Sequence, residues 1–196
     1  MSRGRPAVMR TGSWLARGLL AVALALSIPA SADQPAVTSL LKPLDLMGYP
    51  AGTGPPHFNG RTLDARQLSL TELRGKVVVV NFWATWCPGC RSEMPALERL
   101  HRELAPRGLT IVGINAREDK EAVGRYARGL GLTFPLVLDP RGQINALYGV
   151  VGLPATFVLG RDGRTVALAV GPRDWAGTAA RALIEALLAE PVPGPR

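Results

Sequence analysis

Between Val77 and Leu104 the chain reads VVVVNFWATWCPGCRSEMPALERLHREL, and its side-chain period changes at Cys90. The run of β-branched and aromatic residues without alternation predicts a central strand covered on both faces. The three-to-four-residue period that follows predicts a helix. Cys87 and Cys90, the chain's two cysteines, therefore sit at a strand-to-helix junction. The first turn of a helix leaves its N–H groups unpaired and carries the positive end of the macrodipole, so a thiolate is stabilised there. Free cysteine titrates near ~8.5, and CxxC cysteines at helix N-termini titrate at about 7 or lower. Cys87, at the cap, is the expected attacking thiol. Cys90, one turn further in and facing back toward Cys87, suits a resolving thiol that closes the Cys87–Cys90 disulfide.

The same pair would serve in a static disulfide or as half of a metal site. Four-ligand zinc sites draw on a second CxxC or a close histidine pair, and the remaining candidates here are His57 and His101. His101 lies eleven positions beyond Cys90, roughly 16 Å along a helix, and cannot share an ion with it. No metal is expected, and redox chemistry is the favoured reading. His57, a lone histidine at the end of a Pro/Gly-rich stretch, is given no catalytic role.

Positions 90, 93, 97, 100 and 104 share one helical face and read Cys, Glu, Leu, Leu, Leu, which puts Glu93 in a core-facing slot beside Cys90. A carboxylate there is desolvated, which raises its pKa and lets it exchange a proton with the nearby thiol or its leaving group. The alternative is that Glu93 complements the helix N-terminus from the rim; the pattern alone leaves both open. Pro95 lies inside the helix and is expected to kink it.

The stretch VVVNFWATWCPGCRSEMPAL resembles the thioredoxin superfamily, and within it the TlpA/ResA-like branch of envelope thiol-disulfide oxidoreductases. The resemblance runs from about Phe58 to Leu188. It rests on the WCxxC junction, the glutamate three residues after the second cysteine and a later Gly-Leu-Pro-Ala-Thr-Phe segment, in that order. It implies a thioredoxin-like α/β fold, a central mixed β-sheet flanked by helices, with an N-terminal β-hairpin and a strand-helix insertion. Asn81 stands where cytoplasmic thioredoxins carry a buried aspartate. Asn81 cannot accept a proton, so that role passes to Glu93, as the resemblance also suggests.

Residues 1–32 form a separate segment: Arg3, Arg5, Arg10 and Arg17 precede an apolar run from Gly18 to Ile28 that ends in Pro29 and Ala30-Ser31-Ala32. This is the pattern of a secretory signal peptide cut after Ala32, and the run is too short for a spanning helix of about 20 residues. An uncleaved anchor is the other reading, and only then would the protein touch a membrane. The whole chain carries a formal charge of +8; without residues 1–32, which hold four arginines and no acidic residue, it carries +4. With no basic run or aromatic-interleaved patch afterwards, nucleic acid is not expected as a partner. Export implies the periplasm or cell envelope, where two cysteines would ordinarily end as a permanent disulfide. A CxxC kept reactive there needs an electron source.

Residues 33–57, rich in Pro and Gly, read as a surface linker. A thioredoxin-like domain is expected over 58–190, and a disordered tail over 191–196. Arg61–Leu63 and Gln67–Ser69 predict a hairpin around Asp64-Ala65-Arg66, followed by one helical turn over Leu70–Leu73. Leu109–Asn115 is the next strand, giving a right-handed βαβ unit. A helix through Val123, Tyr126, Ala127 and Leu130 follows, then a strand over Phe134–Leu138 and a short helix from Asp139-Pro140 to Tyr148. Ala155–Leu159 and Thr165–Val170 are joined by a hairpin at Asp162-Gly163. Asp174 is expected to cap a last helix that buries Trp175, Ala179, Leu183 and Leu187.

In Val151-Gly152-Leu153-Pro154-Ala155-Thr156-Phe157, a proline leading into an apolar strand belongs at the strand's start or edge. By base rate the bond would be trans. The resemblance implies instead a cis Leu153–Pro154 bond packed against the disulfide, with the Leu153 backbone free to pair with an extended substrate segment. Trp86, Pro88, Leu153 and Pro154 are thus the expected substrate contacts. Trp86 shields the site on one reading and is a strand-end core aromatic on the other.

The expected reaction needs no cofactor: Cys87 attacks a partner disulfide and Cys90 then releases the reduced partner. Pro88-Gly89 lacks the histidine found between the cysteines of strongly oxidising relatives, which favours a reductant. The resemblance implies protein-disulfide partners such as apocytochrome c or copper-site proteins and a membrane thiol reductase as electron donor; a monomer is expected. Two rivals stand beside it. A peroxiredoxin-type peroxidase expects Pro and Thr/Ser in P-x-x-x-T-x-x-C, where this chain has Val80 and Ala84. A copper-carrying module of related type spaces its cysteines by three and adds a downstream histidine, whereas none follows His101.

Overall fold

The computed structural model describes residues 1, 34–50 and 52–194. The segment read as a signal peptide lies, Met1 aside, outside the described residues. Five helices and eight strands follow one another in this part: α1 (Gln34–Ser39), β1 (Met47–Gly48), β2 (Asn59–Thr62), β3 (Gln67–Ser69), β4 (Val77–Trp83), α2 (Pro88–Leu104), β5 (Leu109–Ala116), α3 (Lys120–Leu130), β6 (Leu136–Asp139), α4 (Gln143–Leu147), β7 (Ala155–Leu159), β8 (Thr165–Val170) and α5 (Thr178–Ala189). The strands form one mixed sheet in the order β1-β8-β7-β4-β5-β6-β2-β3. β4, β5 and β6 run parallel, and β7 pairs antiparallel on the other side of β4.

β4 lies near the middle of this sheet and every one of its residues is buried. Val77, Val79 and Trp83 join the core built with α2, α3 and α5. Val78, Val80 and Phe82 join a second core with Val112, Tyr148 and Phe157. Covering both faces removes the reason for polar alternation, which accounts for the continuous apolar run. Each fully buried valine contributes roughly 1.5–3 kcal/mol of transfer free energy. The second core is aromatic at its centre: Tyr148 lies 5.0 Å from Phe82 and 5.1 Å from Phe157, the latter edge-on.

The expected hairpin is β2–β3, and β2 also pairs with β6, so it extends the sheet as its edge. The single turn over Leu70–Leu73 is 3-10, closed by a capping box between Ser69 and Glu72. At the β7–β8 connection Gly163 has φ 81° and its N–H donates to Gly160 O, a turn that a β-carbon would strain.

Three expectations are corrected. Residues 34–49 are not a linker lying over the surface: α1, a 3-10 turn at Lys42–Leu44 and β1 follow in succession, β1 pairs with β8, and Val37, Leu41, Leu44 and Leu46 are buried in the α2/α5 core. These short elements are too brief to show a period, which hid them. The last helix begins at Thr178 rather than at Asp174; Asp174 accepts from Ala176 N–H in a turn before it. Trp175 is therefore buried ahead of the helix, and on the helix itself Ala180, not the half-buried Ala179, is fully covered. Residues 191–194 carry no helix or strand.

Candidate active site

Proline at N1 fixes the start of α2 at Pro88 and leaves Cys87 as its cap. The Cys87 Sγ accepts the Cys90 N–H at 3.1 Å, one of the helix's unpaired donors, and the two sulfurs are joined in a disulfide. In this oxidised state Cys87 is 4% exposed and Cys90 0%. The residues share a helix start as expected, and Cys90 lies deeper. α2 continues through Pro95 to Leu104.

Leu153–Pro154 is cis. Its neighbourhood is defined by Gly89: a β-carbon there would lie 3.3 Å from Pro154 Cδ and equally close to two ring carbons of Pro172. The turn between the cysteines is thus in contact with prolines from two remote loops, and glycine permits that approach. Pro154 O accepts from Gly171 N–H, which ties the two loops together. Leu153 is half-buried, and its backbone N–H and C=O take no backbone partner among the described residues. Trp86 is 66% exposed, so it is not a core aromatic; Trp83, at the end of β4, fills that place.

Beneath the disulfide lies a buried polar cluster. Glu93, on the Cys90 face of α2, is 2% exposed. Its Oε1 accepts from Asn81 Nδ2 at 2.7 Å, and its Oε2 accepts from Trp175 Nε1 at 3.1 Å and Arg173 N–H at 3.2 Å. Asn81 Nδ2 also donates to Thr156 Oγ1 at 2.9 Å, across the β4–β7 register. Burial raises the Glu93 pKa above that of a solvated glutamate, and the three donors and the Arg173 charge pull against it without cancelling it. The core-facing position is thus the observed one, not the rim.

A second cluster fixes the loop leading into Cys87. Glu118, just after β5, accepts from Thr85 N–H and Asn115 Nδ2, each at 2.7 Å, and from the Thr85 hydroxyl. Sequence reasoning missed Glu118, Thr156, Arg173 and Trp175 as parts of the site. Nothing local marks Glu118 or Arg173, whereas Thr156 was visible as the residue two places after Pro154. His57 is exposed, and His101 is half-buried edge-on to Phe134, its pKa pushed down by burial. Among the described residues no group of three or more His, Cys, Asp or Glu side chains is arranged to hold a metal ion.

A vicinal cysteine pair at a helix start, a cis-proline loop against it and a buried acid behind it, all on a mixed sheet, define a thioredoxin-like thiol-disulfide exchange protein. The AhpC/TSA family profile matches residues 51–168, and the chain belongs to that family. Thioredoxin-like protein YneN of Bacillus subtilis is 41% identical over 120 residues, 60% of this chain and 69% of that one. Thiol-disulfide oxidoreductase ResA of Geobacillus thermodenitrificans is 38% identical over 61% and 69% of the two chains. Among solved structures, a thioredoxin-family thiol:disulfide interchange protein from Chlorobium tepidum superposes with a TM-score of 0.64 at 34% identity, covering 72% of this chain and 99% of that one. A secreted thiol-disulfide isomerase from Corynebacterium glutamicum gives 0.63 at 30% identity, over 74% and 92%. The chain is accordingly a thiol-disulfide oxidoreductase of the ResA-like kind.

Proposed function

We propose that the protein is an exported reductant of protein disulfides in the cell envelope. The observation that carries this reading is the pairing of Cys87, at the amide-rich start of α2, with a buried Glu93 on the Cys90 face. In the reduced protein the Cys87 thiolate attacks one sulfur of a partner disulfide, and the other partner sulfur leaves as a thiolate. Cys90 then gives its proton to Glu93 and attacks Cys87 Sγ. The mixed disulfide breaks, the second partner sulfur leaves and takes up a proton, and Cys87–Cys90 closes. Two electrons pass to the partner, and a membrane thiol reductase restores the dithiol.

Trp86, Pro88, Leu153 and Pro154 are proposed to contact the substrate. The unpaired backbone of Leu153 suits an extended segment laid alongside as an added strand. Residues 1–32 are proposed to direct export. The proposed partners are apocytochrome c thiols or the cysteines of copper sites. No helix among the described residues is long and apolar enough to cross a membrane.

Expressing Cys90→Ser in the envelope and identifying proteins trapped on Cys87 as mixed disulfides tests the reading. An apocytochrome points to haem attachment, and a copper chaperone or oxidase subunit points to metal-site assembly. A reduction potential more positive than about −150 mV would contradict the assignment as a reductant. Rapid consumption of peroxide by the reduced protein would favour a peroxidase instead.

A further inference from the structure

The loop Gly171–Trp175 touches the site at two points: Pro172 abuts Gly89 between the cysteines, and Arg173 N–H and Trp175 Nε1 both donate to Glu93 Oε2. Neither β8 nor α5 includes this loop. Its tether is the Arg173 side chain. Nε donates to Leu44 O at 2.7 Å; Nη2 donates to Asp45 O at 2.9 Å and Oδ2 at 3.0 Å; Nη1 donates to Pro172 O at 3.0 Å and Val170 O at 3.2 Å. The acceptors at Leu44 and Asp45 are themselves anchored, because Leu44 and Leu46 on either side of Asp45 are buried in the α2/α5 core. One planar guanidinium thus spans about 130 residues of sequence and joins two pieces of backbone.

We propose that Arg173 is a positioning residue for the exchange reaction: by clamping the Leu44–Asp45 turn to the Gly171–Trp175 loop, it keeps that loop's two donors on Glu93. The N-terminal segment then belongs to the support of the active site. This rests on the reading of Glu93 as the proton acceptor. The groups facing Glu93 are Asn81 of β4, whose amide also donates to Thr156 of β7, and Trp175, all neutral, with Cys90 on the same helical face, and the Arg173 charge, itself paired with Asp45. Substituting Arg173 by methionine keeps the backbone N–H but removes both the charge and the tether. The ionised form of Glu93 is then held less well, and its proton more tightly.

The test uses the full chain, reduced, as wild type, Arg173→Met, Arg173→Lys and Glu93→Gln. The Glu93 carboxyl is followed by carbon-13 NMR, and exchange with a disulfide peptide is followed against pH. Arg173→Met is expected to raise the Glu93 midpoint by roughly half to one pH unit and to move the matching limb of the rate profile upward by the same amount. Arg173→Lys, which keeps the charge without the fork, should shift it in the same direction by less. A midpoint within about 0.2 unit of wild type in folded Arg173→Met overturns the proposal, and a lowered melting temperature alone would then mark a purely structural residue. Should Arg173→Met not fold, an unmoved midpoint in Arg173→Lys overturns it equally. If the limb vanishes in Glu93→Gln but stays put in the Arg173 variants, only the Arg173 assignment fails. If it survives Glu93→Gln, the role of Glu93 fails and takes this one with it.

Discussion

Two glutamates on α2 are nearly closed to solvent, Glu93 at 2% exposure and Glu98 at 5%, but Glu93 lies the deeper of the two, and their pKa values move in opposite directions. Burial works to raise both. Around Glu98 it is outweighed, because the side chain accepts from the Arg102 guanidinium, from the Thr133 hydroxyl at 2.7 Å and from Thr133 N–H at 2.8 Å, and its pKa ends below the usual value. Around Glu93 the direct donors are two neutral side chains and a backbone amide, and the one cation spends its hydrogen bonds elsewhere. Glu98 is thereby a fixed anion that staples α2 to the α3–β6 connection, where Arg102 also reaches Gly131 O. Glu93, with its pKa raised, is left able to change its charge on the proposed reading. A buried acid becomes chemically useful when its partners are too weak to hold it ionised.

The largest effect expected is that of Cys87→Ser, which should reduce exchange with a disulfide peptide to the uncatalysed background while the fold, read by circular dichroism, is kept. Glu93→Gln should slow resolution of the mixed disulfide by about 10²-fold and flatten its pH dependence, measured by single-turnover kinetics. Glu98→Gln should do the reverse, leaving exchange unchanged and costing about 1–3 kcal/mol in chemical denaturation. A matching loss of rate in Glu98→Gln would break the contrast.

The smallest effect is the difference in how stability follows pH. For Glu93 the native pKa lies above the unfolded one, so its contribution is present below the unfolded value and is lost as pH rises through the native value. For Glu98 the native pKa lies below, so its contribution is present above the unfolded value and is lost as pH falls through the native one. Denaturation midpoints across pH should lose the first trend in Glu93→Gln and the second in Glu98→Gln.

Most of the sheet could be read from local pattern, since β4, β5, β7 and β8 are long enough to declare a period or its absence and Asp162-Gly163 marks their last turn. The helical face carrying Cys90, Glu93 and Leu97 was legible too, although its spacing left Glu93 open between core and rim until burial decided for the core. What escaped was whatever depends on contacts between distant segments. The strand Met47–Gly48 has two residues and acquires its identity only from β8. Arg173 looks like any surface arginine until Leu44 and Asp45 fold back upon it. Trp175 obeys the apolar spacing of the helix after it and sits instead in the turn before, where its indole N–H finds a carboxylate 82 positions away.

That last contact gives the molecule an internal optical gauge. On the proposed reading, an indole bonded to a carboxyl that gains and loses charge is expected to emit differently in the two states, so Trp175 fluorescence followed against pH, with Glu93→Gln as the blank, would report the proton on Glu93 without any label.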